Sequence, residues 1–418
     1  MDFSFDFDGV RNAIAPVRCL SPEDGRHYFF GYYDLMPYSP DERRHLAGRL
    51  PFDGVLNGPE DVMEFGWIED GKFEKLFETT CWNFQQGILA TYQRDGKSNV
   101  IFYNVLDKEA NCYRTVRHNL DTGKKDYSSM ACGTVSPDGK HGLGINFSRI
   151  WDFRPGYGYP NLPDPYFDIP QPRKDGVFLC DFDKGTTTQL FDCETLGKRF
   201  PLEGRENTKM VVNHITLNPA GDHSLFLYRS FPDPNAKPIP GKSRWTTVLF
   251  GGDIHGNVNF VFDEMVSHYW WEDNENMIAY ARPTPESPNA VWRINMRTGK
   301  YEIVGGEGNS LLARCGRWGD IHCSISPDGR FIIGDGYPKE GGYRQIYLYE
   351  IATDRTEVLL ETYSPYADSP EVNLPGGTKE ARTDLHVRWN HDGSRVSFDA
   401  MSRGHREIFE VDMTRLRW

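Results

Sequence analysis

The sequence predicts an all-β fold, a seven-bladed β-propeller occupying residues 1–418 as one domain, its ring closed by an N-terminal strand in the last blade. Three observations predict it. A His or Cys repeatedly stands four residues ahead of a polar turn. Cys132 precedes Ser136-Pro137-Asp138-Gly139, His214 precedes Asn218-Pro219-Ala220-Gly221, His322 precedes Ser326-Pro327-Asp328-Gly329 and His386 precedes Asn390-His391-Asp392-Gly393, with His268 before the shorter Glu272-Asp273-Asn274. Around these turns, short alternating apolar stretches recur with a period of about 40–60 residues, the spacing of a four-stranded blade. The composition agrees, because 14% aromatic residues with 41 glycines and 27 prolines suits many short strands joined by turns.

In chain order, seven hairpin units are counted. The first runs from Gly31-Tyr32-Tyr33-Asp34, read as an inner strand, through the turn Ser39-Pro40-Asp41. The second is residues 87–104, and the others begin at Cys132, His214, His268, His322 and His386. Third strands follow as VMEFGWIEDG, YRTVRHNLDTG, GVFLCDFDKG, TVLFGGDIHG, AVWRINMRTG, QIYLYEIATD and EIFEVDMTR, each alternating and ending in a turn. No stretch keeps the helical period that a two-domain α/β enzyme would need. The seventh unit ends soon after Asp412 without an outer strand, and Pro16-Val17-Arg18-Cys19-Leu20 is expected to supply it, removing an exposed edge. Two insertions, Asn146 to Lys174 and Arg229 to Arg244, follow second strands and read as too rich in proline for helix or central strand. Loops after the second strand share a face with the start of the inner strand, so function is expected on that face.

Several classes are disfavoured. No apolar run approaches the roughly 18 residues of a membrane span. The net charge of −13 argues against nucleic acid or an anionic membrane as partner. Eight cysteines without a CxxC pair read as reduced thiols. The N-terminus carries no signal-peptide pattern, so the chain as written is expected in the cytoplasm, or in the periplasm or outside the cell if a leader was removed. No GxSxG, P-loop, GxGxxG or HExxH occurs. A monomer is expected.

If the units form a ring, equivalent side chains converge on its axis. His268, His322 and His386 are then candidate ligands of a divalent metal, zinc, manganese or calcium, since imidazole spacing alone does not choose the ion. The competing reading has these histidines bonding only to neighbouring backbone. His214 is a further ligand or a proton-transfer group. Arg149, Arg229 and Arg282 end second strands, Arg382 and Arg388 flank His386, and Arg403 follows the second strand of the seventh unit. Arginines gathered on one face form a carboxylate clamp; singly, they are ordinary surface residues. Tyr32, Tyr33, Tyr157 and Tyr159 adjoin glycines in GYYD and PGYGY, which suits exposed rings for sugar stacking or a phenol for acid–base work. Asn83, Gln86 and Asn104 offer amides to sugar hydroxyls.

These residues lie in stretches that resemble a known group. HYFFGYYD at His27–Asp34, WNFQQG at 82–87, NFSRIWDFRPGYGY at 146–159, HITLNP at 214–219, SHYWW at 267–271, DIHCSISPDGRF at 320–331 and DLHVRWNHDG at 384–393 resemble seven-bladed propeller polysaccharide lyases. The group holds the ulvan lyases, the rhamnose–glucuronate lyase and, more distantly, the oligogalacturonate lyases. The resemblance implies β-elimination across a uronic-acid glycosidic bond in an acidic oligosaccharide. Such chemistry needs positive charge on the carboxylate, a base for the C5 proton and an acid for the leaving oxygen. By resemblance, Arg149 and Arg229 match the clamp and Tyr157 the acid or base. His268 and His386 match metal-ligand positions of the oligogalacturonate lyases, and His322 follows by repeat. One departure stands out. The resemblance implies a histidine near WNFQQG, where this chain has Phe84, and Asn104 fills a second polar position. The base then falls to His214 or Tyr157, or elimination is absent. The rival functions are a non-catalytic carbohydrate- or protein-binding propeller and a glycoside hydrolase on the same scaffold.

Overall fold

The structure is a computed structural model describing residues 2–201, 208–231, 246–370, 372, 374–401 and 404–418, with the side chains of 315–318 and 340 outside that description. Seven antiparallel sheets form the blades of one propeller. Their innermost strands are His27–Phe29, Thr91–Tyr92, Cys132–Val135, Met210–Leu217, Met265–Trp271, His322–Ile325 and Arg388–Trp389. The sequence makes the hairpins through its turn chemistry. Ser326 Oγ donates to Asp328 Oδ1 at 2.6 Å, Asp328 Oδ1 accepts Arg330 N–H at 3.0 Å, and Gly329 takes the left-handed φ of +71° that closes the turn. Ser136, Asp138 and Gly139 repeat the device.

The ring closes twice through its N-terminus. Val17–Cys19 is the outer strand of the last blade, with Val17 opposite Val411, Arg18 opposite Glu410 and Cys19 opposite Phe409. Val17, Val411 and Phe409 are fully buried there, and each such side chain stabilises by about 1.5–3 kcal/mol. Val10–Arg11 then adds a fifth strand to the sixth blade, beside Arg355–Tyr363.

Two expectations change. Gly31–Asp34 is not an inner strand. The first blade begins at His27–Phe29, and the chain then leaves the sheet and crosses the axis. Gly31 permits this, because a Cβ there would meet the Gln86 carbonyl oxygen at 2.9 Å. The Asn146–Lys174 insertion also opens as a helix, Phe147–Phe153. Asn146 caps it by accepting Arg149 N–H at 3.1 Å, and the prolines begin only at Pro155, after the helix has ended. Most of the second insertion, from 232, and Arg403 lie outside the described residues. No helix among the described residues is long and apolar enough to cross a membrane. The seven cysteines with described side chains are free thiols.

Candidate active site and metal centre

Histidines from three consecutive blades meet at the axis. The rings of His268 and His322 lie 3.9 Å apart, and those of His322 and His386 lie 4.6 Å apart. Backbone irregularity aims two of the axial imidazoles. Pairing in the fourth blade jumps from Asn213 to Ile215, skipping His214, and in the fifth from Val266 to Tyr269, skipping His268. Such bulges break the in–out alternation and redirect a side chain. His214 and His386 also hold positive φ, at +43° and +45°. Cys132 shares the repeat position but does not join them; it packs with Phe102, Cys180 and Phe182 in a small core of its own.

Two of the imidazoles are prepared as ligands. His322 Nδ1 is held by Asp335 Oδ1 at 2.7 Å, and His386 Nδ1 donates to the Gly31 carbonyl at 2.9 Å. Both Nε2 atoms are buried without a hydrogen-bond partner. The ligand atoms of His322, Asp384 and His386 lie within 4.8 Å of one another, and all three residues are buried. This His–Asp–His set fits a divalent cation better than the expected three histidines, because it supplies an anionic oxygen beside two oriented imidazoles. His268 stays adjacent, with Nδ1 3.0 Å from Asp320 Oδ1. Burial lowers its pKa to about 4 despite Asp320. Burial and the neighbouring His322 hold His386 well below the usual range, whereas burial of His322 is outweighed by Asp335, Asp384 and Asp320 together, which raise it. Burial opposes ionisation of Asp384, but Arg382 and Arg344 outweigh it and hold the carboxylate below its ordinary range.

Above this cluster lies a cavity of about 370 Å³ lined by Tyr32, Tyr157, His214, Arg229, His268 and Arg382, with Arg154, Asp320, Tyr337, Tyr366 and Lys379 around them. Arg229 is its distinctive member. Its guanidinium makes no ion pair with a described carboxylate, and its Nε lacks a partner. Burial, and then the like charge of Arg154, lower its pKa. His214 is stacked on Tyr269 at 4.6 Å, and its Nε2 lies 3.4 Å from Asp34 Oδ2, with neither ring nitrogen hydrogen-bonded. Burial lowers its pKa, opposed by Asp34, so the ring is neutral and able to accept a proton. Arg382 Nη2 donates to the Tyr157 hydroxyl at 3.1 Å, and Arg382 Nε sits 2.7 Å from Asp384 Oδ2. The metal centre and the phenol thus share one charged chain.

The other candidates lie elsewhere. Arg149 is buried, and its guanidinium makes five hydrogen bonds, to Asp164 and to the carbonyls of Met210, Tyr166, Ile169 and Pro170. It pins the insertion loop and has no donor left for a ligand. Tyr159 is buried, stacks on Phe147 at 4.5 Å and accepts from Asn104 Nδ2 at 3.0 Å, so neither faces the cavity. Arg388 is spent on Asp399 and the Gly31 carbonyl. The Tyr32 and Tyr33 rings are buried rather than exposed, and the Tyr33 hydroxyl donates to the Tyr269 carbonyl. Tyr33 therefore offers no free stacking face. Asn83 is fully buried and accepts the Gln85 and Gln86 N–H groups, making the WNFQQG segment a folded support. Gln85 Nε2 from that segment donates to the Arg382 carbonyl at 2.8 Å. Phe84 packs among Phe29, Phe52 and Trp82, with the Arg406 guanidinium 4.9 Å from its ring centroid.

Asp384, Asp335, Asp320 and Asp34 were missed. One signal was available: an Asp two residues before a His, in Asp320-Ile321-His322 and again in Asp384-Leu385-His386. In extended chain, residues two apart share a side.

No family model matches the chain, and no curated protein does. Among solved structures, the chain is similar to an oligogalacturonate lyase in complex with manganese, at 14% identity over 99% of this chain and 96% of that one, with a TM-score of 0.62. It is also similar to an oligogalacturonate lyase from Vibrio parahaemolyticus, at 14% identity, 99% and 97% coverage and a TM-score of 0.61. What they share with this chain is the fold. A peptidase, the acylaminoacyl peptidase of Pyrococcus horikoshii, matches at 13% identity over 77% of this chain and 45% of its own, with a TM-score of 0.44.

Proposed function

We propose that the protein is a polysaccharide lyase that cleaves a uronate-containing oligosaccharide by β-elimination. The observation that carries this reading is the unpaired Arg229 guanidinium in a cavity that also holds a neutral histidine and a phenol. Half-buried Arg229 has no counter-ion among the described residues, and a substrate carboxylate would complete a charge-assisted pair with it. Binding there spreads the negative charge that develops when the C5 proton leaves. His214, with Asp34 3.4 Å away, takes that proton on its neutral ring. The electron pair forms the C4–C5 double bond, the C4–oxygen bond breaks, and the leaving oxygen takes the Tyr157 hydroxyl proton. Arg382, donating to the Tyr157 oxygen, stabilises the phenolate that results. Solvent then carries the proton from the imidazolium back to the phenolate.

His322, Asp384 and His386 would hold a divalent cation beneath this cavity. When bound, it supplies fixed positive charge toward the carboxylate. The manganese of the similar oligogalacturonate lyase makes that ion a sensible first choice. The motif resemblance to ulvan and rhamnose–glucuronate lyases adds glucuronate to galacturonate as candidate sugars.

The test is incubation with a panel of glucuronate- and galacturonate-containing glycans, followed by the ultraviolet absorbance of an unsaturated uronate. A rise with one of them supports the proposal. Binding without a rise across the panel points to a non-catalytic propeller, and new reducing ends without the chromophore point to a hydrolase.

A further inference from the structure

Two consecutive residues of the fourth blade, Asn213 and His214, line the cavity above the histidine cluster. In a regular strand they would face opposite sides. The register break after Asn213, with His214 at a φ of +43°, brings both to one cavity. Across the strand pair, Asn213 stands opposite Leu227, and Val211 stands opposite Arg229. Asn213 and Arg229 are therefore diagonal neighbours on one face of the blade, a separation that long side chains span.

Asn213 is 3% exposed, and its amide oxygen has no hydrogen-bond partner. Buried amides are normally satisfied, because an unpaired one keeps the cost of leaving water. Asn104 shows the usual arrangement: it donates to the Cys132 carbonyl and the Tyr159 hydroxyl and accepts from Thr115. An open acceptor on the same face as the Arg229 guanidinium describes a ligand. The amide oxygen accepts and cannot donate, and an ionised carboxylate has no hydrogen to give it. The two residues must then take different parts of one molecule, and a uronate carries both parts on one ring, a carboxylate and hydroxyls.

We infer that Asn213 is a specificity-determining residue, its amide oxygen accepting a ring hydroxyl of the sugar whose carboxylate pairs with Arg229. This rests on the uronate reading of the cavity and deepens it. A site built this way discriminates against an acid of the same shape that lacks the hydroxyl, because the buried acceptor is then left unpaired.

The probes are the methyl glycosides of galacturonate and glucuronate, and tetrahydropyran-2-carboxylate, which keeps the ring and the carboxylate but has no hydroxyl. None carries a sugar at C4, so binding is read without cleavage. Each is titrated into the full-length protein by calorimetry. The unaltered protein is expected to bind the better glycoside about tenfold or more tightly than the hydroxyl-free acid. Asn213→Ala should weaken the glycoside by about tenfold and leave the hydroxyl-free acid unchanged, whereas Arg229→Gln should weaken both. Asn213→Leu, near in volume, should repeat the alanine result if that variant does not fold, and the comparison on the unaltered protein needs no variant. Equal binding of glycoside and acid, unchanged glycoside binding in the Asn213 variants, an equal loss for the acid, or no binding of the acid at tens of millimolar would each overturn the inference. The lyase reading fails separately. This binding pattern without a rise in ultraviolet absorbance on any glycan leaves Asn213 in its role and removes the elimination. Elimination with unchanged glycoside binding in the Asn213 variants removes this inference alone, and a protein that binds neither glycoside removes both.

Discussion

Asp335 grips His322 twice: its Oδ1 lies 2.7 Å from the imidazole Nδ1 and 3.2 Å from the His322 backbone nitrogen. Burial works against the carboxylate, but His322 outweighs it and holds Asp335 at about 2. The aspartate therefore stays ionised, fixes the ring and leaves Nε2 free. His386 is fixed in the same sense by the Gly31 carbonyl.

From this arrangement the purified protein is expected to bind about one manganese or zinc ion per chain after metal removal and reloading. His386→Ala should weaken that binding by about a hundredfold or more, since losing even a supporting residue costs about 10- to 100-fold. His214→Ala should leave it unchanged. Metal content after dialysis, with a competition titration, reads both.

Arg229→Gln should lower kcat/KM by about a hundredfold, near 3 kcal/mol. Its melting temperature should change little, because Arg229 is only half-buried and no ion pair with a described residue is removed. Steady-state kinetics and a thermal melt are both needed, since a structural arginine would lower the second.

Tyr157→Phe keeps the ring and removes the proton. Expected is a fall in kcat of about a hundredfold to ten-thousandfold with little change in KM. Substrates with a better leaving group should lose less, and a leaving-group series measures that.

Stability of the metal-free protein should fall with acid. Burial holds His268 at about 4 against an ordinary 6.5 and lowers His214 and His386 as well. Each binds a proton more readily when unfolded. Its contribution is present above about 6.5 and is lost as pH falls toward the folded value. His322 has the opposite sign, its raised pKa giving a contribution that is full below 6.5 and fades as pH rises through the folded value. Of these axial histidines three are lowered and one raised, so urea midpoints should drop as pH falls from about 6.5 to 5, each histidine within its window contributing about 1.4 kcal/mol per pH unit at most. His268→Gln should flatten the slope.

Removing residues 1–20 takes away both N-terminal strands and exposes two blade edges. A large drop in the unfolding midpoint is expected. The milder Val17→Ala should cost about 2 kcal/mol, as deletion of buried methyls does. Circular dichroism melts compare them.

The propeller was legible because its signals are local. A turn such as Ser326-Pro327-Asp328-Gly329 declares itself, and the missing outer strand after Asp412 pointed to Val17–Cys19. The site was legible only in part, because it depends on bulges and long-range partners. His214 and His268 reach the axis through register breaks that no alternation rule reveals. Arg149 and Arg229 look alike in sequence. One is consumed by Asp164 and four carbonyls supplied across the fold, and the other is left open. Asp384 joins His322 only through the fold, which brings their ligand atoms within 4.8 Å.

The most direct test of the proposed chemistry is product analysis by mass spectrometry after reaction in heavy-oxygen water. Elimination predicts a new non-reducing end carrying a double bond and one water lighter than a hydrolytic product, with no heavy oxygen entering at the cleaved bond, and loss of this product in Arg229→Gln. Incorporation of heavy oxygen into saturated products at that bond would contradict it.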